Sequence, residues 1–140
     1  MIYSSLIDKI EDTLEKIGSI KQIIVGPSEL IEKYPCVVFY PDSFDNDFAS
    51  TADNFKIYRF KMFIVVGSAQ KSKEDLFGTI LPKAVDDVIA QFDEDWDAGN
   101  IEGHRAWALL NSGVWGFSKT DKGIEAWAEI NVIIKLQTTN

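Results

Sequence analysis

Residues 124–136 constrain the fold more than any other stretch. Ile124, Ala126, Ala128, Ile130, Val132, Ile134 and Leu136 alternate with Glu125, Trp127, Glu129, Asn131, Ile133 and Lys135. Side chains of a strand point alternately to its two faces, so this period predicts a strand of about 13 residues with one buried face. Such a strand needs neighbours on its edges and a layer over its apolar face. Residues 55–66 repeat the signal: Tyr58, Phe60, Met62, Ile64 and Val66 alternate with Arg59, Lys61 and Phe63. Two long strands of this kind make a sheet the centre of the fold.

The remaining elements follow from local chemistry. Ile7, Ile10, Leu14 and Ile17 fall at helical spacing among charged residues, which predicts an amphipathic helix over 5–17. Ser5 suits its N-cap and Gly18 its stop. Residues 20–25 read as a short strand closed by Gly26-Pro27, and 28–33 as one helical turn ended by Tyr34-Pro35. The run Cys36 to Tyr40 is dense in strand formers and stops at Pro41. Residues 43–53 are polar and read as a long mobile loop. Leu76, Ile80, Ala84, Val88 and Phe92 predict a second helix, which either kinks at Pro82, the preferred reading, or begins near Pro82 after a separate short turn. Residues 93–103 read as an acidic loop, His104 to Phe117 as a strand bent at Gly113, and Thr120-Asp121-Lys122-Gly123 as a hairpin turn. The order is α-β-β-β-α-β-β. Helices and strands do not alternate, so the expected class is α+β, a mainly antiparallel sheet with two helices packed on it, in a single domain over 1–140.

Charge narrows the function. The net charge is −8 over 140 residues, against the Lys and Arg surface that grips phosphate backbones. The acids cluster in two places, Asp42, Asp45, Asp47 and Asp53 in one and Asp93, Glu94, Asp95, Asp97 and Glu102 in the other. No apolar run approaches the ~20 residues of a membrane-crossing helix. The first residues lack a signal peptide's apolar core, so folding in a cytoplasm is the expectation.

Catalytic chemistries find little support. Asp93, Asp95 and Asp97 mimic the alternate ligands of a calcium loop, but Ala98 stands where the turn glycine belongs and His104 where the bidentate Glu belongs. Cys36 and His104 are the chain's single cysteine and single histidine, too few for a zinc site; a nucleophile pair would need them to meet in space, and Cys36 at a strand start reads as a buried small residue instead. No glycine cluster forms a phosphate loop. The residues present no recognisable catalytic motif and no metal site, and a metal-dependent hydrolase on the acidic loop stays a minor reading.

Aromatic residues point elsewhere. Trp127 and Ile133 fall on the strand face opposite the core stripe, where a covering helix or a subunit contact would have to shield them. Phe44 and Phe48 sit in an acidic segment and Trp96 in another. These five residues are the candidates for a subunit or partner interface.

The whole layout resembles the tail terminator proteins of long-tailed bacteriophages, also called tail completion or tail-to-head joining proteins. The likeness rests on the amphipathic helix from Ser5 to Ile17, the stretch Tyr34-Pro35-Cys36-Val37-Val38, the polar segment Asp42 to Asn54, the strand Lys56 to Val66, the helix Leu76 to Phe92 with its acidic turn, and two long final strands. The resemblance implies a small α+β subunit of a homo-oligomeric, hexameric ring at the tail-to-head junction of the virion, one that is no enzyme and carries no cofactor. The ring would cap the tail tube protein, present a surface to a head-completion or connector protein, and pass DNA through its channel without sequence-specific binding or membrane contact. By the same analogy Asp45, Asp47, Asp93, Asp95 and Asp97 are candidates for an acidic channel or loop surface. A head-closure or connector adaptor, and a cytoplasmic module for a small ligand or protein, are the alternatives.

Overall fold

The computed structural model describes residues 2–26, 30–48, 53–68, 73–121 and 123–139. Helix α1 spans Ile2–Glu15, and strands β1 (Gln22–Val25), β2 (Cys36–Phe48) and β3 (Asp53–Ser68) follow. A short helical turn (Lys73–Asp75) leads through a π-helical turn (Leu76–Ile80) into helix α2 (Leu81–Glu94). Strands β4 (Asp97–Ile101), β5 (His104–Thr120) and β6 (Gly123–Thr139) complete the chain. The sheet order is β1-β2-β3-β6-β5-β4, curled into a half-barrel.

The expected α+β class and element order hold, with two corrections to the sheet. It is mixed rather than antiparallel, because β1 joins β2 in parallel, from Gln22 beside Cys36 to Val25 beside Phe39. It also gains β4, which pairs antiparallel with β5 inside the stretch read as an acidic loop. Every other pairing is antiparallel.

The core lies between one sheet face and both helices. Ala126, Ala128, Ile130, Val132, Ile134 and Leu136 are buried, as their alternation requires, with Phe60, Met62, Ile64 and Val66 beside them. Leu6, Ile10 and Leu14 of α1 and Leu81, Ala84, Val85, Val88 and Phe92 of α2 close over them. Each large side chain removed from water here contributes about 1.5–3 kcal/mol. Small alanines at 106, 108, 126 and 128 let the helices approach the sheet.

Several boundaries move. Helix α1 begins at Ile2, so Ser5 lies inside it and is not its cap. It ends at Glu15, and tighter bonds from the amides of Lys16 and Ile17 to Thr13 and Leu14 finish it before Gly18. Residues 30–33 form no helix, and 27–29 lie outside the described residues. The helix does not run through Pro82 with a kink; Pro82 sits in the first turn of α2, and the π turn precedes it. A proline cannot donate to the carbonyl four residues back and clashes with it. The amide of Leu81 therefore reaches five residues back, to Leu76.

The largest correction concerns residues 43–48. They were expected in a loop, yet they extend β2, with Phe44 beside Tyr58 and Phe48 beside Asn54 across from β3. A bulge between Pro41 and Ser43 shifts the register where the proline interrupts the ladder. The rest of that loop, residues 49–52, lies outside the described residues. The bend at Gly113 is present as a bulge between Leu110 and Gly113.

Candidate functional site

Both outer edges of the sheet are only partly covered. Strand β1 pairs with β2 from Cys36 to Phe39, and β4 with β5 from His104 to Trp107. One further bond, from the amide of Ala108 to the carbonyl of Trp96, extends the second cover by a residue. Among the described residues, no strand lies beside Tyr40–Phe48 of β2 or Leu109–Gly116 of β5 on their outer sides. The two covers sit at opposite ends of the sheet, because Cys36 aligns through Val65 and Trp127 with Gly116, whereas Arg105 aligns through Gln137 and Phe55 with Asp47. The open edges are therefore diagonal to each other.

The open part of β5 is apolar. Leu109 is 47% exposed, Val114 59% and Trp115 56%. Between Gly103 and Thr120 there is no acid, in a chain of net charge −8. A groove of about 210 Å³ runs beside this edge, walled by Val85, Ile89 and Asp93 of α2 and by Leu110, Gly113 and Trp115 of β5. Gly113 has no room for a side chain, since a Cβ there would meet the Glu129 carbonyl oxygen at 2.7 Å. Phe117, further along β5, packs edge-on against Phe77.

The open part of β2 is acidic and carries Phe44, which is 68% exposed. Asp45 forms an ion pair with Arg59 at 2.7 Å. Asp47 and Phe48 belong to the same strand, but their side chains lie outside the described residues.

The sheet's other face carries Trp127 and Ile133, as expected, and both are half-buried rather than bare. Neither helix covers them. For Trp127 the cover comes from the connection into β2. Ile31 joins Val38, Tyr40, Phe63 and Trp127 in a shallow groove, and the Tyr34 hydroxyl donates to Glu125 at 2.9 Å. Burial and that acidic partner push the Tyr34 hydroxyl up to about 12. Burial pushes the Cys36 thiol up to about 11.

The second acidic cluster does not converge. Asp93 is exposed at the groove rim. Asp95 accepts from Lys16 and Gln91, both at 2.9 Å, which ties α1 to the end of α2 and holds its carboxyl below the usual range. Asp97 takes both arms of the Arg105 guanidinium and an amide bond from Gly99, which hold it down to about 2. Among the described residues no group of three or more His, Cys, Asp or Glu is placed to hold a metal. Cys36 and His104 lie toward opposite ends of the sheet, so no nucleophile pair forms. Trp96, 48% exposed, precedes β4.

Sequence reasoning singled out Phe44 and the outer-face Trp127 and Ile133, but not the exposed Leu109, Val114 and Trp115. The signal for them was the acid-free run through β5.

No family model matches the chain, and no curated protein does. Among solved structures, a chain that carries only a sequence identifier for a name aligns over 95% of this chain and 96% of its own, with 12% identity and a TM-score of 0.44. That likeness carries no argument about function.

Proposed function

We propose that the chain is a ring-forming structural subunit of a bacteriophage tail. Six copies close on the end of the tail tube, stop its growth and offer the surface on which the filled head docks. DNA passes through the ring, and the chain catalyses no reaction.

The observation that carries this reading is the pair of open sheet edges, one lined by exposed Leu109, Val114 and Trp115 and the other presenting Phe44. Backbone left unpaired beside exposed apolar side chains is a surface for protein neighbours to complete. Edges on opposite sides of one sheet suit a head-to-tail contact, and head-to-tail contacts close into rings when the rotation allows. The chain's acidity supports passage of DNA rather than grip, because carboxylates repel phosphates.

Addition of the purified chain to polymerising tail tube protein tests the proposal. Tubes that stop growing and carry a cap at one end are the expected result. Tubes that grow unchanged, with none of the chain bound, contradict it.

One observation favours a second reading. The apolar groove between α2 and β5 has the concavity of a small-ligand site. A saturable thermal shift with one compound from a ligand panel, lost in Trp115→Ala, would favour a binding module.

A further inference from the structure

We infer that the open edge of β5 receives the open edge of β2 from a second copy of this chain, with Phe44 of that copy seated in the groove between α2 and β5. The contact stands on its own geometry, and its closure into a ring rests on the proposed function.

Direction comes first. Strands β2, β3, β6 and β5 alternate in direction, so β2 and β5 run oppositely. A neighbouring copy placed with its sheet in the same orientation brings its β2 antiparallel to β5, the arrangement in which main-chain bonds form directly across a strand pair.

The faces also agree. Phe44 stands opposite Tyr58, whose ring packs against Tyr3 of α1, so Phe44 points to the helix-covered side of the sheet. Gly113 and Trp115 stand opposite Ile130 and Ala128, both buried on that same side. The continued sheet therefore puts Phe44 on the side where the groove opens. A cavity of about 150 Å³ is enough to bind benzene. The groove, at about 210 Å³, accepts a phenyl ring.

Charge excludes one alternative pairing. Residues 40–48 hold Asp42, Asp45 and Asp47 and no base, whereas the open run 109–116 of β5 holds no charged residue to oppose them. Two β2 edges would bring acids together, a mismatch that discourages self-pairing of that strand. Pro41 has no amide hydrogen and is followed by the bulge, so the pairing segment of β2 runs from Ser43 to Phe48.

Sedimentation velocity up to about 1 mM protein tests the contact with two variants, Phe44→Asp and Trp115→Lys. Both residues are exposed, so circular dichroism should show unchanged folding. The wild type should assemble, and each variant alone should stay monomeric. An equimolar mixture of the two should form dimers and stop there, because it joins one intact β2 edge to one intact β5 edge. Hydrogen exchange provides a second measure: in the wild type, amides of Leu109–Trp115 and Ser43–Phe44 should slow as concentration rises.

Wild type that remains monomeric throughout, Phe44→Asp that assembles alone, or a mixture that stays monomeric would each overturn the inference. Rings that form equally well from both variants would uphold the ring reading and overturn this contact. Mixed dimers, from a chain whose wild type never caps a tube, would uphold the contact and overturn the function.

Discussion

The indole of Trp127 fills the space that a side chain at residue 116 would need. A Cβ built on Gly116 falls 2.7 Å from ring atoms Cε2, Cζ2 and Nε1 of Trp127. The two residues are register partners on β5 and β6, so the glycine is a cradle for the ring on the outer sheet face.

Gly116→Ala should therefore destabilise the chain by about 1–3 kcal/mol, the usual cost of overpacking. Trp127→Ala opens the space, so in the double variant the added methyl should cost far less. A double-mutant cycle by urea unfolding checks this, with a coupling of at least about 0.5 kcal/mol expected. Additive effects would mean that the ring moves aside freely.

Asp97 and Arg105 predict a pH dependence confined to acid. The Arg105 guanidinium holds the Asp97 carboxyl down to about 2, against 3.8 for the free group. A carboxylate depressed in the folded state adds stability above its unfolded value and loses it as pH falls through the folded one. The contribution is thus complete above about pH 4 and fades toward pH 2. A carbon-detected titration of the Asp97 carboxyl should give a midpoint near 2 in the wild type. In Arg105→Gln it should return toward the free value. Identical midpoints would show that the pair does not hold in solution.

Cys36 should be inert while the chain is folded. It is buried at the start of β2, and its thiol is pushed up from 9.0 to about 11. The thiolate is the reactive form, so two units lower its population roughly a hundredfold at a given pH. A colorimetric thiol reagent at pH 8 should label the native protein only as it unfolds, and the urea-unfolded chain at once. Rapid native labelling would mean that the β1–β2 end opens.

How much of this was legible in the sequence varied with what holds each element. Strand β6 declared itself, because burial alone imposes its alternation from Ile124 to Leu136. Helix α1 did too, although its start was misplaced, since Ser5 has the chemistry of a cap but lies inside the helix. The bulge at Gly113 followed from a glycine inside a strand. Strand β4 was illegible. Asp97, Gly99 and Asn100 are poor strand formers, and they are held in the sheet by pairing with β5 across a bulge and by the Arg105 forks. Residues 43–48 were hidden for the same reason: Asp, Asn and Ser read as loop, and the ladder to β3 makes them strand. The parallel pairing of β1 had no local signature either.

The candidate surface divides the same way. Phe44 stood out as an aromatic among acids. The apolar edge of β5 did not, because exposed and buried strand residues look alike until the sheet order is known. Asp95 and Asp97 looked like a cluster in sequence, but each faces a cation that folding brings from elsewhere.

The central claim is that this chain completes itself by closing into a ring. Light scattering on a size-exclusion column, across a concentration series and with negative-stain images of each peak, tests it most directly. The account predicts a species of about six subunits that appears in the images as a closed ring with a central hole. A chain that stays monomeric at every concentration, and that also leaves the ends of purified tail tubes bare, would contradict it.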